Sequence, residues 1–278
     1  MLCATVPDLT NQLRQTLWRQ QKPMILTSGT LAVGEDFRRF KEETGLLTDD
    51  RVRESVTPSP FVYSRNCLLY LSSFHIHQET RQYYDCLTKE ITALLDAAHG
   101  HALVLFTSYA AMSAVKERLR KQALGYPLFT LGRNAVHTTK QFKSTPGGVL
   151  LATGAAWEGF DFPGDCVSLL VIPRLPFPIP DALKEKELER YPSLQSFLRA
   201  VVVPEMQIKL KQGFGRALRT ETDTCVVAIL DERAAKDQRY WRDVLAALPE
   251  MPITQDLRQV EAFIRSVKPD RYFREGAA

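Results

Sequence analysis

The sequence holds no apolar run approaching about 18 residues, the length a helix needs to cross a bilayer, so no membrane-spanning segment is expected in its 278 residues. The stretch from Met1 to Thr10 lacks a basic start and a long apolar core, so it does not read as a signal peptide. A reducing cytoplasm is the expected compartment. The five cysteines, Cys3, Cys67, Cys86, Cys166 and Cys225, include no C-x-x-C pair. That absence argues against a disulfide framework and against a zinc site. Cys225 opens an apolar run and reads as a small core residue. His75 and His77 would share one face of a strand, but no cysteine or third histidine stands near them, so no metal site is expected. Charge of one sign is missing too: 36 basic against 32 acidic residues leave a net +4. Such a chain is compatible with a nucleic-acid groove and equally with an ordinary basic protein. Internal repeats and low-complexity segments are lacking. Two last absences bear on chemistry: the sequence has no G-x-x-x-x-G-K-[ST] phosphate loop and no D-E-x-H tetrad.

What is present is alternation. Hydrophobic residues make up 45% of the chain, ample for a packed core. Apolar runs at 66–71, 102–107, 128–131, 148–153, 167–172 and 224–230 read as strands. Segments 78–98, 110–122, 138–143, 182–190 and 203–218 carry helical spacing between them, and helices at 238–248 and 256–267 close the chain. Strands alternating with helices imply an α/β fold with a mainly parallel sheet and helices on both faces. Upstream, 9–19 sets Leu9, Leu13 and Leu17 at helical spacing, 24–27 reads as a short strand, and 34–43 as a helix with Phe37 and Phe40 facing one way. Segment 48–60 is polar, charged and bracketed by Pro58 and Pro60, so it reads as the linker. The expected division is a small α/β piece at 1–55 and a domain at 56–278. With one strand and no neighbour for it, the first piece is not expected to complete a domain.

Two segments carry chemistry. The first is Gln212-Gly213-Phe214-Gly215-Arg216-Ala217-Leu218-Arg219. On a continuous helix over 203–218, Gln212, Arg216 and Arg219 would share one face. Both arginines keep their charge and present planar forks suited to phosphate. Gly213 and Gly215 each cost a helix about 1 kcal/mol relative to alanine, which implies a close backbone approach to something. The second is Gly154-Ala155-Ala156-Trp157-Glu158-Gly159-Phe160-Asp161-Phe162-Pro163-Gly164, which comes after an apolar run. A buried parallel strand ending in a glycine-rich loop with two carboxylates puts Glu158 and Asp161 at a ligand edge. The arginines are expected at the same edge. Each segment also has a plainer reading, as solvated arginines and as a polar turn. The run 226–232, ending in Asp231 and Glu232, imitates the magnesium-holding strand of phosphate-loop NTPases. Without a phosphate loop that reading fails, and Asp231 and Arg233 read as structural or coupling residues.

Together these segments resemble the DinG/XPD-type branch of superfamily 2 DNA helicases. The family's motif VI, Q-x-x-G-R-x-x-R, is matched by Gln212, Gly215, Arg216 and Arg219. Its motif V, W-E-G-x-D-x-x-G, is matched by Trp157, Glu158, Gly159, Asp161 and Gly164. Val104-Leu105-Phe106-Thr107-Ser108-Tyr109 resembles motif IV, and Leu175-Pro176-Phe177-Pro178 the proline-rich loop of the family. Ile25-Leu26-Thr27-Ser28-Gly29-Thr30-Leu31 resembles motif III, with Gly29 where the family usually has alanine. Order and approximate spacing agree over nearly the whole chain.

The resemblance implies a RecA-like second motor domain at 56–278, preceded at 1–55 by the last stretch of the first. It implies that Arg216 and Arg219 act as arginine fingers on the γ-phosphate, and that Gln212 senses the nucleotide or its attacking water. Glu158, Gly159, Asp161 and Gly215 would line the nucleotide cleft. Ser108, Tyr109, Thr153, Trp157 and Arg174 would meet single-stranded DNA, with Phe177 a weaker candidate. ATP and magnesium would be held mainly by the first motor domain, which carries the phosphate loop and, where present, the iron–sulfur cysteines; no cluster is expected in this chain. The implied partners are single-stranded DNA and a first motor domain, in cis or in trans, and the implied movement is 5′-to-3′. Alone, the chain is expected to be inactive. The alternative is a non-catalytic module that binds nucleic acid or a partner protein.

Overall fold

Seven runs pair into one sheet in the computed structural model, which describes residues 9–20, 22–32, 34–73, 82–122, 124–132 and 134–274, without the side chain of Arg274. They are β1 (Cys67–Leu71), β2 (Ala102–Leu105), β3 (Leu128–Thr130), β4 (Val149–Ala152), β5 (Leu169–Ile172), β6 (Cys225–Ile229) and β7 (Ile253–Thr254). Their spatial order is β3-β4-β2-β5-β6-β1-β7. Every pairing is parallel. Parallel strands need crossovers that cover both faces, so the central strands are apolar at nearly every position. β2, β4, β5 and β6 are buried throughout.

Register sorts the side chains by face. Val104 lies opposite Leu151 and Val171, Val171 opposite Ala228, and Ala228 opposite Tyr70. These five point to one side, against Leu87, Ile91 and Leu94 of helix Tyr83–Ala97, Val115 and Leu119 of helix Tyr109–Lys121, and Ile264 of helix Leu257–Val267. Alternation sends Leu103 and Leu105 to the other side. There the last turn of helix Val203–Phe214 closes over Leu105 at Gly213.

The chain divides into two units, Met1–Ser59 with Phe177–Ile208, and Pro60–Pro176 with Lys209–Ala278. The sheet belongs to the second. In the first, helix Leu9–Thr16 lies against helix Arg38–Thr44, with Thr10 Oγ1 donating to the Glu43 carbonyl at 3.2 Å and Trp18 Nε1 to that of Thr44 at 2.7 Å. Leu46 N–H returns to the Lys41 carbonyl at 2.8 Å, ending the second helix in a Schellman turn at Gly45. Arg39 joins the same unit's Glu205 at 2.5 Å and donates to the carbonyls of Ala200 and Val201, inside the π-helical turn Leu198–Val202.

Several expectations are corrected. The strand expected at 24–27 is irregular backbone, and Ile25 is 93% exposed. An apolar run becomes a strand only where another strand pairs its backbone groups, and none does among the described residues. The helix expected to reach 218 ends at Phe214. β7, two residues long, and the turns at 194–202 carry no periodic signal that would have announced them. His75 and His77 lie outside the described residues.

At the amino ends of the strands sits a buried histidine. Gly147 N–H donates to His101 Nε2 at 3.0 Å, and His101 Nδ1 lies 2.9 Å from the His99 carbonyl. These bonds fix a neutral ring with its proton on Nδ1. The ring stacks on Tyr272 at 4.1 Å, and the Tyr272 hydroxyl donates to the Ala98 carbonyl at 2.6 Å. Burial holds the His101 pKa below its usual value; the His99 carbonyl and Asp165 pull it up, while Lys268 and His99 push it down. A second proton would break the Gly147 bond. The folded state therefore favours the neutral ring, and its contribution is complete above about pH 6.5, the unfolded value, and fades as pH falls below it. The unfolding free energy from urea titrations should drop between pH 7 and 5 by at most about 1.4 kcal/mol per pH unit from this group. His101→Gln should lose that part of the slope; an unchanged slope would clear His101 of any part in it.

Candidate active site

The connection from β4 to β5 must return from the carboxyl end of one parallel strand to the amino end of the other, so it travels down a face of the sheet. Two aromatic side chains pin it. Trp157 closes the 3₁₀ turn Gly154–Trp157, is 1% exposed, and donates its indole N–H to the Phe106 carbonyl at 2.9 Å. Phe162 is buried edge-on to Phe142 at 5.6 Å. Between these pins, Glu158, Gly159 and Asp161 are exposed, and the Phe160 carbonyl is left free of the strand ladder to accept from side chains.

Helix Val203–Phe214 reaches this connection through Gly213. A Cβ there would lie 2.7 and 2.8 Å from two carbons of the Trp157 ring. At Gly213 the close approach is thus to indole, whereas a Cβ on Gly215 would meet the Gln212 carbonyl at 3.2 Å. Beyond Phe214 the chain turns, with Arg216 N–H bonded to the Gly213 carbonyl at 2.9 Å and Ala217 N–H to that of Phe214 at 2.8 Å. Ala217 and Leu218 are buried, which turns Arg216 and Arg219 outward. Arg216 Nη1 donates to the Phe160 carbonyl, and Arg219 Nη2 donates to the same oxygen at 3.1 Å. Arg219 Nε lies 2.6 Å from Asp161 Oδ1 as an ion pair, although its N–H is not aligned as a hydrogen bond. The two arginines meet through this turn and not through a shared helical face.

A carboxylate behind them holds the backbone. Asp223 accepts from the amides of Arg219 at 2.8 Å and Thr220 at 2.9 Å, and from Thr220 Oγ1 at 2.6 Å. Burial pushes its pKa up, but these bonds and one from the Gly164 amide outweigh it, so the net shift is downward. Around the Phe160 oxygen the balance is cationic. Burial and the Arg219 charge press the Arg216 pKa down, and Asp161 and Glu158 press it up. A guanidinium stays charged regardless. Two fixed cations sharing one neutral oxygen and one exposed carboxylate form a site that an anion would stabilise.

The remaining candidates divide. Gln212 is half-buried, and its carbonyl receives Arg216 Nε at 3.4 Å; Gly215 is half-buried in the same turn. Ser108 caps helix Tyr109–Lys121 through its Oγ, and Tyr109 is 67% exposed. The Tyr109 hydroxyl stands 3.9 Å from the Cβ position of Gly154, so the ring sits where β2 and β4 end. Thr153 and Trp157 are buried, Trp157 in the core-packing position that its other reading allows. Arg174 is half-buried after β5 and makes no hydrogen bond or ion pair among the described residues. Asp231 is buried and accepts from Leu175 N–H at 2.9 Å, Arg233 N–H at 3.0 Å, Arg233 Nε at 2.9 Å and Arg233 Nη2 at 2.7 Å. It fastens the loop after β5 and has no capacity left for magnesium. No cluster of three or more metal-ligating side chains occurs among the described residues. The Phe160 carbonyl and Asp223 escape a reading of the sequence: a backbone oxygen has no residue signature, and the clamp's only trace is the Thr220/Asp223 spacing.

Residues 91–251 match the helicase C-terminal domain family, more than half of the chain. The ATP-dependent DNA helicase YoaA of Escherichia coli (strain K12) is 31% identical over 271 residues, covering 95% of this chain and 41% of that protein. The ATP-dependent helicase DinG of Mycobacterium tuberculosis (strain ATCC 25618 / H37Rv) is 33% identical over 246 residues, covering 87% of this chain and 37% of that one. The chain thus spans about two fifths of the length of the curated relatives it matches. Among solved structures, S. tokodaii Xpd4 superposes with a TM-score of 0.50 at 19% identity, over 76% of this chain and 43% of that chain, a likeness of fold.

Proposed function

The chain belongs to the helicase C-terminal domain family, in its DinG/XPD-type branch, and from that premise we propose that it supplies the arginine fingers of an ATP-dependent DNA motor. The observation that carries the reading is the convergence of Arg216 and Arg219 on the Phe160 carbonyl. A γ-phosphate delivered by a phosphate-loop domain offers both forks a charged acceptor in place of a neutral one. Donors already aimed at one point cost little reorganisation as charge shifts on the phosphoryl group. Asp161 pairs with Arg219 when no phosphate is present, and Gln212 lies beside Arg216 for contact with the nucleotide. Magnesium would come with the phosphates on the other domain; Asp161, Asp223 and Asp231 are committed to arginines and amides, and no step is assigned to it. Single-stranded DNA would cross the carboxyl edge of the sheet, with a base stacking on Tyr109 and phosphate near Ser108 and Arg174.

The polypeptide by itself should release phosphate from ATP at the background rate, with or without single-stranded DNA, because its sequence has no phosphate loop and no D-E-x-H tetrad. A steady-state phosphate assay checks this. Turnover above background that Arg216→Ala abolishes would overturn it. The same absence favours, as a second reading, a module that binds DNA without catalysis. That reading expects DNA affinity unaffected by ATP in the two-domain protein, whereas a motor expects the two to be linked.

A further inference from the structure

We propose that the first unit carries a separate contact for single-stranded nucleic acid, in the groove where helix Leu9–Thr16 meets the turn after helix Arg38–Thr44. It rests on the motor reading for the identity of its ligand and on its own geometry for the site. The groove measures about 400 Å³ and is lined by Arg14, Trp18, Arg19, Asp49, Asp50 and Arg51, among others. Asp49 and Arg51 satisfy each other, with Nε to Oδ1 at 2.9 Å and Nη2 to Oδ2 at 2.7 Å. The side-chain and amide bonds from Arg51 hold the Asp49 carboxyl down at about 2. The Asp49 carboxylate also feels the Arg14 charge, yet three arginines face two carboxylates in the groove, and neither Arg14 nor Arg19 makes a hydrogen bond or ion pair among the described residues.

The site is built before a ligand arrives. Gly45 has φ 77°, and a Cβ on it would lie 2.9 Å from Arg14 Cγ. The glycine lets the Arg14 stem cross the turn and fixes where its guanidinium emerges. The Trp18 ring is oriented by its bond to the Thr44 carbonyl, and Arg51 Nη2 donates to the Trp18 carbonyl at 3.2 Å. A tryptophan between two cations on one short segment matches the alternation of base and phosphate along a strand. An oriented ring also loses little freedom on stacking. An acidic peptide or free phosphate would use the cations and leave the indole idle.

The test is the anisotropy of a labelled thymidine oligonucleotide, about 20 nucleotides long so that it can span more than one contact, titrated with the full chain at several salt concentrations. The double variant Arg14→Ala/Arg19→Ala should weaken binding about tenfold at low salt and flatten the salt slope by about 1.4, the value for two phosphates on single strands. Trp18→Ala should weaken binding about tenfold. Tryptophan emission should be quenched by the oligonucleotide in the wild type and less in Trp18→Phe, since Trp157 is buried and the half-buried Trp241 is common to both proteins. An unchanged affinity and slope in the folded double variant, with Tyr109→Ala still weakening binding, would overturn the groove and leave the motor reading intact. No binding by the wild type would overturn both. Competition by polyglutamate as strong as by the oligonucleotide, without quenching, would overturn the choice of ligand.

Discussion

Arg216→Ala or Arg219→Ala, introduced into a protein that joins this domain to its phosphate-loop domain, should lower ATP turnover by about 10³-fold or more. The reason is convergence. Both forks aim at one oxygen, and the Asp223 clamp on the Arg219 amide fixes their approach. Removing either leaves one cation to balance the charge on the transferring phosphoryl group. The loss should fall on kcat, with a smaller change in KM, because the interaction strengthens as charge shifts. Arg219→Lys should recover little, since an ammonium lacks the planar fork. Asp161→Asn should cost far less, because it removes only the exposed partner of the resting state. Single-turnover hydrolysis within tenfold of the parent for both alanine variants would end the finger assignment.

Trp157→Ala should destabilise the domain by about 3–5 kcal/mol, the range for emptying a large aromatic site. The indole is fully enclosed and loses its bond to Phe106 as well. Gly213→Ala should also destabilise, although alanine favours a helix by about 1 kcal/mol. The new methyl would press into the ring at 2.7 Å, and overpacking costs about 1–3 kcal/mol. The two changes are coupled. In the Trp157→Ala background the clash is gone, so Gly213→Ala should become neutral or stabilising. Urea midpoints for the four proteins of this cycle provide the check. Equal effects of Gly213→Ala with and without the indole would show that the contact is not the cause.

The strands are legible because burial on two faces leaves a run with little choice but to be apolar. Val149, Leu150, Leu151 and Ala152 advertise this without any partner in view. The arginine pair is legible from spacing, though through the wrong geometry. Ala217 and Leu218 continue the apolar period of the helix, and nothing local says that they are buried by a turn. Trp157 reads equally as core or as ligand-facing for a related reason. A tryptophan in a glycine- and acid-rich loop can pack or face a ligand, and only the distant Gly213, which admits a helix against it, decides for packing. Residues 24–27 err in the opposite direction: local propensity supplies the strand, and the pairing that would realise it is not there. Contacts of long sequence separation decide each miss, and a local pattern carries no record of them.

The enclosed indole has a mechanical meaning. One edge of Trp157 meets the helix that leads into Arg216, and its N–H is anchored two residues before Ser108, where the Tyr109 helix begins. It works as a spacer gauge between the surface that would feel nucleotide and the surface that would feel DNA. A spacer of aromatic carbon hardly compresses, so a shift of the arginine turn has no slack to vanish into. It must either be refused or be passed along to the strand end. A softer and smaller filler, such as methionine, would leave slack between the two surfaces and loosen their timing.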